Sequence, residues 1–123
     1  IRSAGYFRQK AKKLKFISKF YLSLLSRASW LRRRFKSDGE FRHALLQTWG
    51  IGPETADSIL LYAYKKPFFV VDAYTKRLFA QKFDLSLRTY EEWQELFHSA
   101  LERDYELFNE FHALIVAEGK LMR

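Results

Sequence analysis

The fold is decided near the middle of the chain, where residues 45–60 read Leu45-Leu46-Gln47-Thr48-Trp49-Gly50-Ile51-Gly52-Pro53-Glu54-Thr55-Ala56-Asp57-Ser58-Ile59-Leu60. Glycine breaks a helix and proline suits the first turn of the next one, so one helix ends near Thr48 and another begins at about Glu54. Glycines on either side of Ile51 permit backbone conformations that side chains oppose, and Ile51 is expected to point inward as an apolar plug. The pattern predicts two helices, over about residues 40–64, joined by a tight hairpin.

This hairpin has the features of a phosphate-binding site. Backbone amides around the two glycines are expected to converge with those of the second helix's first turn, where the potential is positive. A nucleic-acid phosphate would bind there through backbone groups alone, without any reading of base sequence. An ordinary helix–loop–helix corner is the plain alternative, but it normally needs one glycine. The predicted DNA-backbone contacts are Gly50, Ile51, Gly52, Glu54 and Thr55.

Helix signals continue on both sides of the hairpin. Apolar residues at three- and four-residue steps predict a helix from Tyr6 to Leu25, and Trp30–Lys36 is expected to form a basic connection. The apolar face of this helix comprises Phe7, Ala11, Leu14, Ile17, Tyr21, Leu24 and Leu25. A final helix is predicted from about Tyr105 to Glu118, with Gly119 as its C-terminal stop. No segment alternates with period two for long enough to indicate a strand, so the predicted fold class is all-α.

Three helix starts carry capping signals. Ser37 and Thr89 each stand three residues before a glutamate, and these two capping boxes open helices over about residues 38–48 and 90–101. Asp72 follows the apolar run at residues 68–71 and is expected to cap a helix from Ala73 to about Lys82. Together these segments form one domain over residues 1–123.

The charge of the chain is segregated. There are 22 Lys+Arg against 14 Asp+Glu, a net charge of +8, and residues 1–36 contain twelve of the basic side chains and no acidic one. Such a segment indicates an electrostatic footprint for a polyanion, and a solvated helix face explains it equally well. No apolar stretch approaches the roughly 18 residues that span a membrane.

The composition does not indicate a metal site or a reactive thiol. The absence of cysteine excludes disulfides, thiolate catalysis and cysteine-ligated zinc or iron–sulfur clusters within these residues, and it fits a reducing cytosol. His43, His98 and His112 lack metal-ligand spacing, so no metal site is predicted and the three are expected to be structural or surface residues.

The hairpin string, together with Phe69-Val70-Val71-Asp72-Ala73-Tyr74, resembles the helix-hairpin-helix of the endonuclease III superfamily of DNA glycosylases. Asp72 lies twenty residues after Gly52, which is the spacing that the superfamily shows for its catalytic aspartate. Residues 5–11 and 111–120 resemble the family's helix start and closing helix, so the resemblance covers nearly the whole chain. It implies a partial glycosylase fold whose N-terminal part lies upstream of residue 1. It further implies a monomeric, cytoplasmic, nucleoid-associated prokaryotic enzyme acting on duplex DNA that contains a damaged base.

Departures from the family pattern narrow the expected chemistry. Bifunctional members carry a Schiff-base lysine two residues after the second hairpin glycine, and this chain has Glu54 there, which indicates a glycosylase without lyase activity. Many members hold an iron–sulfur cluster whose first cysteine would fall at Arg123, so no cofactor is expected. By family position Lys120 faces the base pocket, and a helix-end lysine beside the dipole is the simpler alternative.

The expected reaction is hydrolysis of an N-glycosidic bond with Asp72 as the catalytic carboxylate. A carboxylate near C1′ stabilises the oxocarbenium-like transition state and orients or deprotonates the attacking water. No second acid with a proton-donating role is evident, which favours alkylated purines because these bases already carry positive charge when they leave. Three alternatives remain: a bifunctional glycosylase/lyase for oxidised pyrimidines, a non-catalytic helix-hairpin-helix DNA-binding module, and a helical bundle that binds proteins.

Overall fold

The computed structural model describes residues 2–122, apart from the side chains of residues 2–4, 6, 7 and 17. Within that range the chain forms helices only, with no strand, so the predicted all-α class is confirmed. The helices are α1 (Arg2–Arg34), α2 (Asp38–Leu46), α3 (Pro53–Ser58), α4 (Ala73–Phe83), α5 (Tyr90–Ala100) and α6 (Tyr105–Leu121), and a π-helical turn (Ile59–Ala63) continues α3. None of the helices in these residues is both long and apolar enough to cross a lipid bilayer.

Helix α1 is longer than the sequence predicted. It continues past Leu25 to Arg34, so most of the expected basic connection is helical. The reason is that Leu24, Ala28 and Leu31 extend the helical apolar spacing and are buried in the core. The three arginines that follow occupy the last turn, where the negative end of the helix dipole favours cations.

The described side chains in the first half of α1 are exposed. Leu14 and Tyr21, which the sequence placed on a buried face, have exposed fractions of 62% and 52%. Phe7 and Ile17, predicted for the same face, lie outside the described side chains. Burial of α1 therefore begins at Leu24, where the helix meets α2 and α3.

Two apolar cores organise the rest of the chain. The first joins the end of α1 to α2 and α3, and it contains Leu24, Ala28, Leu31, Phe41, Leu45, Ile51, Ala56, Ile59 and Leu60. The second joins the segment after the π-helical turn to α4, α5 and α6, and it contains Leu61, Phe69, Val70, Val71, Leu78, Trp93, Phe97, Phe108 and Ile115. Because Leu60 and Leu61 belong to different cores, the π-helical turn is the element that links the two halves.

The predicted capping residues begin their helices. Ser37 Oγ accepts a hydrogen bond from the Glu40 amide at 3.1 Å, and Thr89 Oγ1 accepts one from the Glu92 amide at 3.1 Å. The Glu92 carboxylate in turn accepts from the Arg88 amide at 3.1 Å. These bonds satisfy donors that would otherwise be unpaired in the first turn, so the starts of α2 and α5 are confirmed.

Gly119 does not end α6, contrary to the sequence prediction. The helix runs on to Leu121, and Gly119 is buried within it. A Cβ atom at this position would lie 2.7 Å from Tyr74 Cδ1 and 3.1 Å from Tyr74 Cβ. Glycine is therefore present because α4 packs closely against α6 at this point.

This packing predicts the effect of adding one methyl group. We expect Gly119→Ala to lower the free energy of unfolding by about 1–3 kcal/mol, because overpacking forces Tyr74 or the helix to shift. Gly39→Ala in α2 is the matched control: nothing lies within 4 Å of its Cβ position, and alanine favours the helix. Urea unfolding of both variants is the measurement, and an unchanged midpoint for Gly119→Ala would contradict this explanation of the glycine.

Candidate functional site

The two hairpin glycines are not equivalent. Gly50 has a φ of 85°, so its conformation favours glycine, and a Cβ there would lie 3.2 Å from the tip of the Phe20 ring, which would have to move by a few tenths of an ångström. Gly52 has φ −92° and ψ −178°, an extended conformation that any residue adopts, so its predicted conformational role is wrong. Nothing lies within 4 Å of its Cβ position, which leaves the start of α3 open to a ligand.

The remaining hairpin residues differ in their exposure. Ile51 is buried in the first core, as predicted, and its amide donates to the Thr48 carbonyl at 3.1 Å. Glu54 and Thr55 lie in the first turn of α3. Backbone amides in the first turn of a helix have no carbonyl acceptor within that helix. Trp49, which directly precedes Gly50, is 87% exposed.

Asp72 caps α4 as predicted. Its Oδ1 atom accepts hydrogen bonds from the Thr75 amide and from the Thr75 hydroxyl, both at 3.0 Å. Its side chain is 19% exposed, so the carboxylate is held by the protein and still reaches the surface. The cap therefore fixes one oxygen and leaves the group accessible.

The second oxygen of Asp72 belongs to a chain of three side chains. Asp72 Oδ2 lies 2.8 Å from His112 Nε2, and His112 Nδ1 lies 2.6 Å from the Tyr62 hydroxyl. An ionised carboxylate only accepts, so Nε2 of His112 carries the proton that is donated to Asp72. In the neutral tautomer that carries its proton on Nε2, Nδ1 accepts from the Tyr62 hydroxyl, which is on a half-exposed side chain. His112 thus fixes the orientation of the carboxylate from α6.

The surroundings keep Asp72 ionised. Burial by itself raises the pKa of Asp72, but hydrogen bonds from His112 and Thr75 favour the charged form more strongly, and the net pKa lies below its ordinary value. Burial, with the nearby Asp72 charge, raises the pKa of Tyr62, so this phenol stays protonated and able to donate to His112. At neutral pH the group at the start of α4 is a carboxylate.

A second carboxylate, Asp57 on α3, is fully buried. The Arg42 guanidinium binds it with two hydrogen bonds, Nε to Oδ1 at 2.8 Å and Nη2 to Oδ2 at 3.0 Å. Oδ2 also accepts from the Tyr90 hydroxyl at 2.9 Å and from Gln94 Nε2 at 2.8 Å. Burial raises the pKa of Tyr90 far above its usual range, so the hydroxyl remains a donor. Asp57 therefore ties α2, α3 and α5 together.

Local sequence signals found Asp72 but missed these partners. His112 was expected to be structural or at the surface, and it lies 40 residues from Asp72 and 50 from Tyr62, beyond any spacing rule. A weak signal for Asp57 existed, because the acid directly follows Ala56 and stands two residues before Ile59, and both of these apolar residues are buried. Lys120 is exposed in the last turn of α6, and its proposed contact with a base stays a prediction. Arg123 lies outside the described residues.

A comparison with known proteins finds a similar sequence. The chain is 42% identical over 121 residues to a protein of Methanocaldococcus jannaschii named "Putative DNA repair glycosylase". The match includes 98% of this chain and 55% of that relative, so the chain spans about half of the relative's length. No protein-family model matches the chain, and no solved structure matches it. The match extends over nearly the whole of this chain.

Proposed function

We propose that this chain carries the DNA-binding hairpin and the catalytic carboxylate of a monofunctional DNA N-glycosylase that removes alkylated purines from duplex DNA. The observation that carries the proposal is the environment of Asp72. Its carboxylate is ionised and partly exposed, it lies at the start of a helix, and Thr75 and His112 orient it. It follows the hairpin at the spacing of the endonuclease III superfamily. The name of the relative is consistent with this activity.

In the proposed reaction, the bond between C1′ and the base nitrogen breaks and its electron pair leaves with the base. Positive charge that develops on the sugar is stabilised by Asp72, and Asp72 accepts the proton of the water that adds to C1′. A purine alkylated at N3 or N7 carries positive charge, so it departs as a neutral base without a proton donor. His112 acts as a positioning residue, because it binds Asp72 and holds the carboxylate toward the sugar.

The absence of lyase activity is proposed from Glu54. A lyase needs an amine that forms a Schiff base with C1′, and the position that the superfamily uses for it carries a carboxylate. Borohydride trapping tests this directly: we expect no covalent protein–DNA adduct, and a trapped adduct would support the bifunctional alternative. A non-catalytic DNA-binding module would bind duplex DNA and release no base.

The hairpin should hold DNA by its backbone. We expect Gly52→Val to weaken binding to every duplex by about tenfold, because the new side chain fills the open space that a phosphate would enter. Its extended φ suits valine, so the free energy of unfolding should change by less than about 1 kcal/mol. Fluorescence anisotropy with several unrelated duplexes is the measurement.

Gly39→Val is the control for that experiment. It also adds a side chain into open space, but on α2 away from the hairpin, so it should leave the Kd for DNA unchanged. A loss of affinity by Gly52→Val for some duplex sequences and not others would contradict the backbone contact.

A further inference from the structure

The segment that leads into Asp72 has no regular secondary structure, yet it is buried. Phe69, Val70 and Val71 are each at most 2% exposed, and no strand lies beside them within the described residues. Their backbone groups therefore need partners from side chains, because an unpaired buried amide or carbonyl is costly.

One stripe of α5 supplies these partners. The Phe69 amide donates to His98 Nε2 at 3.0 Å, and the Phe69 carbonyl accepts from Gln94 Nε2 at 2.9 Å. The Val71 amide donates to the Tyr90 hydroxyl at 3.3 Å. Tyr90, Gln94 and His98 recur every four residues, which places them on the same face of the helix. They bind the extended segment in the way that a neighbouring strand would.

His98 can accept only if its Nε2 atom is unprotonated. Burial, with Arg103 and Arg42 nearby, lowers the pKa of His98 to about 4, so the ring is neutral at physiological pH. The ring also stacks on Phe108 with an interplanar angle of 3°. In this stripe His98 therefore accepts and Gln94 donates, while the Tyr90 hydroxyl accepts from Val71 and donates to Asp57.

The same stripe is anchored to the hairpin through Asp57. This carboxylate lies one helical turn beyond Pro53, and it accepts from both Tyr90 and Gln94 while Arg42 neutralises it. A continuous path of contacts then runs from α3 through the Asp57 carboxylate and the Tyr90 hydroxyl to the Val71 amide, the residue before Asp72.

We propose that Asp57, Tyr90 and Gln94 are positioning residues that set the distance between the DNA-binding hairpin and the carboxylate of Asp72. The inference rests on the proposed function, since one duplex would have to contact the hairpin with a phosphate and Asp72 with a sugar. A displacement of about 1 Å at a reacting group can cost about 100-fold in rate.

Tyr90→Phe is the variant that tests this, because it keeps the ring and removes the hydroxyl that joins Asp57 to Val71. We expect single-turnover base release to slow at least about tenfold, with the Kd for duplex DNA within about twofold of wild type. Amide exchange at Val71 should accelerate more than exchange at Leu45 in the first core. Tyr105→Phe, which removes a hydroxyl at the start of α6 outside this network, should change none of these.

Two readouts separate this inference from the proposed function. Amide exchange at Val71 and the pKa of the Asp72 carboxyl, both measured by NMR in the unbound protein, do not depend on activity. If Tyr90→Phe keeps the wild-type amide exchange rate at Val71 and the wild-type pKa of Asp72, the positioning role of Tyr90 is overturned. Wild-type base release despite rapid exchange at Val71 would overturn it as well. If Tyr90→Phe fails to fold, Gln94→Met removes the bond to the Phe69 carbonyl at similar volume and should slow base release in the same way. Absence of base release by the wild-type chain would instead overturn the proposed function.

Discussion

Asp72→Asn is expected to release an alkylated purine at least about 100-fold more slowly than the wild type. The substitution removes the negative charge that faces the developing positive charge on the sugar, and such preorganised electrostatic groups are typically worth about 100- to 1,000-fold in rate. Asparagine caps helices about as well as aspartate, so α4 should keep its start. Duplex binding should be equal or tighter, because a negative charge near phosphates is lost.

The control for that variant lies at the other end of the same helix. Asp84 is exposed, adopts a left-handed conformation at the end of α4, and tolerates asparagine there. Asp84→Asn should therefore keep wild-type rates of base release. Single-turnover assays on a duplex with one alkylated purine compare the two variants, and a large loss of DNA affinity in Asp72→Asn would count against its proposed place beside the sugar.

The largest loss of stability is expected from Asp57→Ala. The substitution leaves the Arg42 guanidinium without its buried partner and deprives Tyr90 and Gln94 of their common acceptor. Breaking a buried ion pair in this way costs about 3–5 kcal/mol, which is a large part of the stability of a domain of this size. Urea unfolding followed by circular dichroism measures the change.

An exposed ion pair provides the comparison for Asp57. Asp38 at the start of α2 lies 3.4 Å from Arg32 and 3.5 Å from Lys66, with 39% of its side chain exposed. Because solvent screens such pairs, Asp38→Ala should cost less than about 1 kcal/mol. Equal losses of unfolding free energy in Asp57→Ala and Asp38→Ala would contradict the claim that the buried ion pair of Asp57 stabilises the fold more than an exposed one.

Local signals were enough for the helix starts and for the hairpin. A hydroxyl or carboxylate before a helix acts over three or four residues, and a glycine in a tight turn acts over fewer. Ser37, Thr89, Asp72 and Gly50 therefore behave as the sequence predicts. Fold class followed from these signals together with helical apolar spacing. These local signals do not predict which distant segments pack against each other.

The wrong sequence predictions arise from packing between segments that are distant in the chain. A glycine near the end of a helix suggests a stop, but Gly119 exists because Tyr74 from α4 packs against it. The end of α1 was placed too early because its apolar spacing resumes at Ala28 and Leu31, among basic residues that suggested a connection. His112 could not be joined to Asp72 from spacing, since only the packing of α6 on α4 brings them to 2.8 Å.

We propose that Asp72 is the carboxylate with which the protein hydrolyses the bond between a damaged base and its sugar. The most direct test incubates the chain with a duplex that contains a single N3- or N7-alkylated purine and measures the free base by chromatography, with borohydride present in a parallel reaction. We predict free base, an abasic strand that stays intact until it is heated in alkali, and no trapped adduct. Duplex binding without any free base would contradict the account.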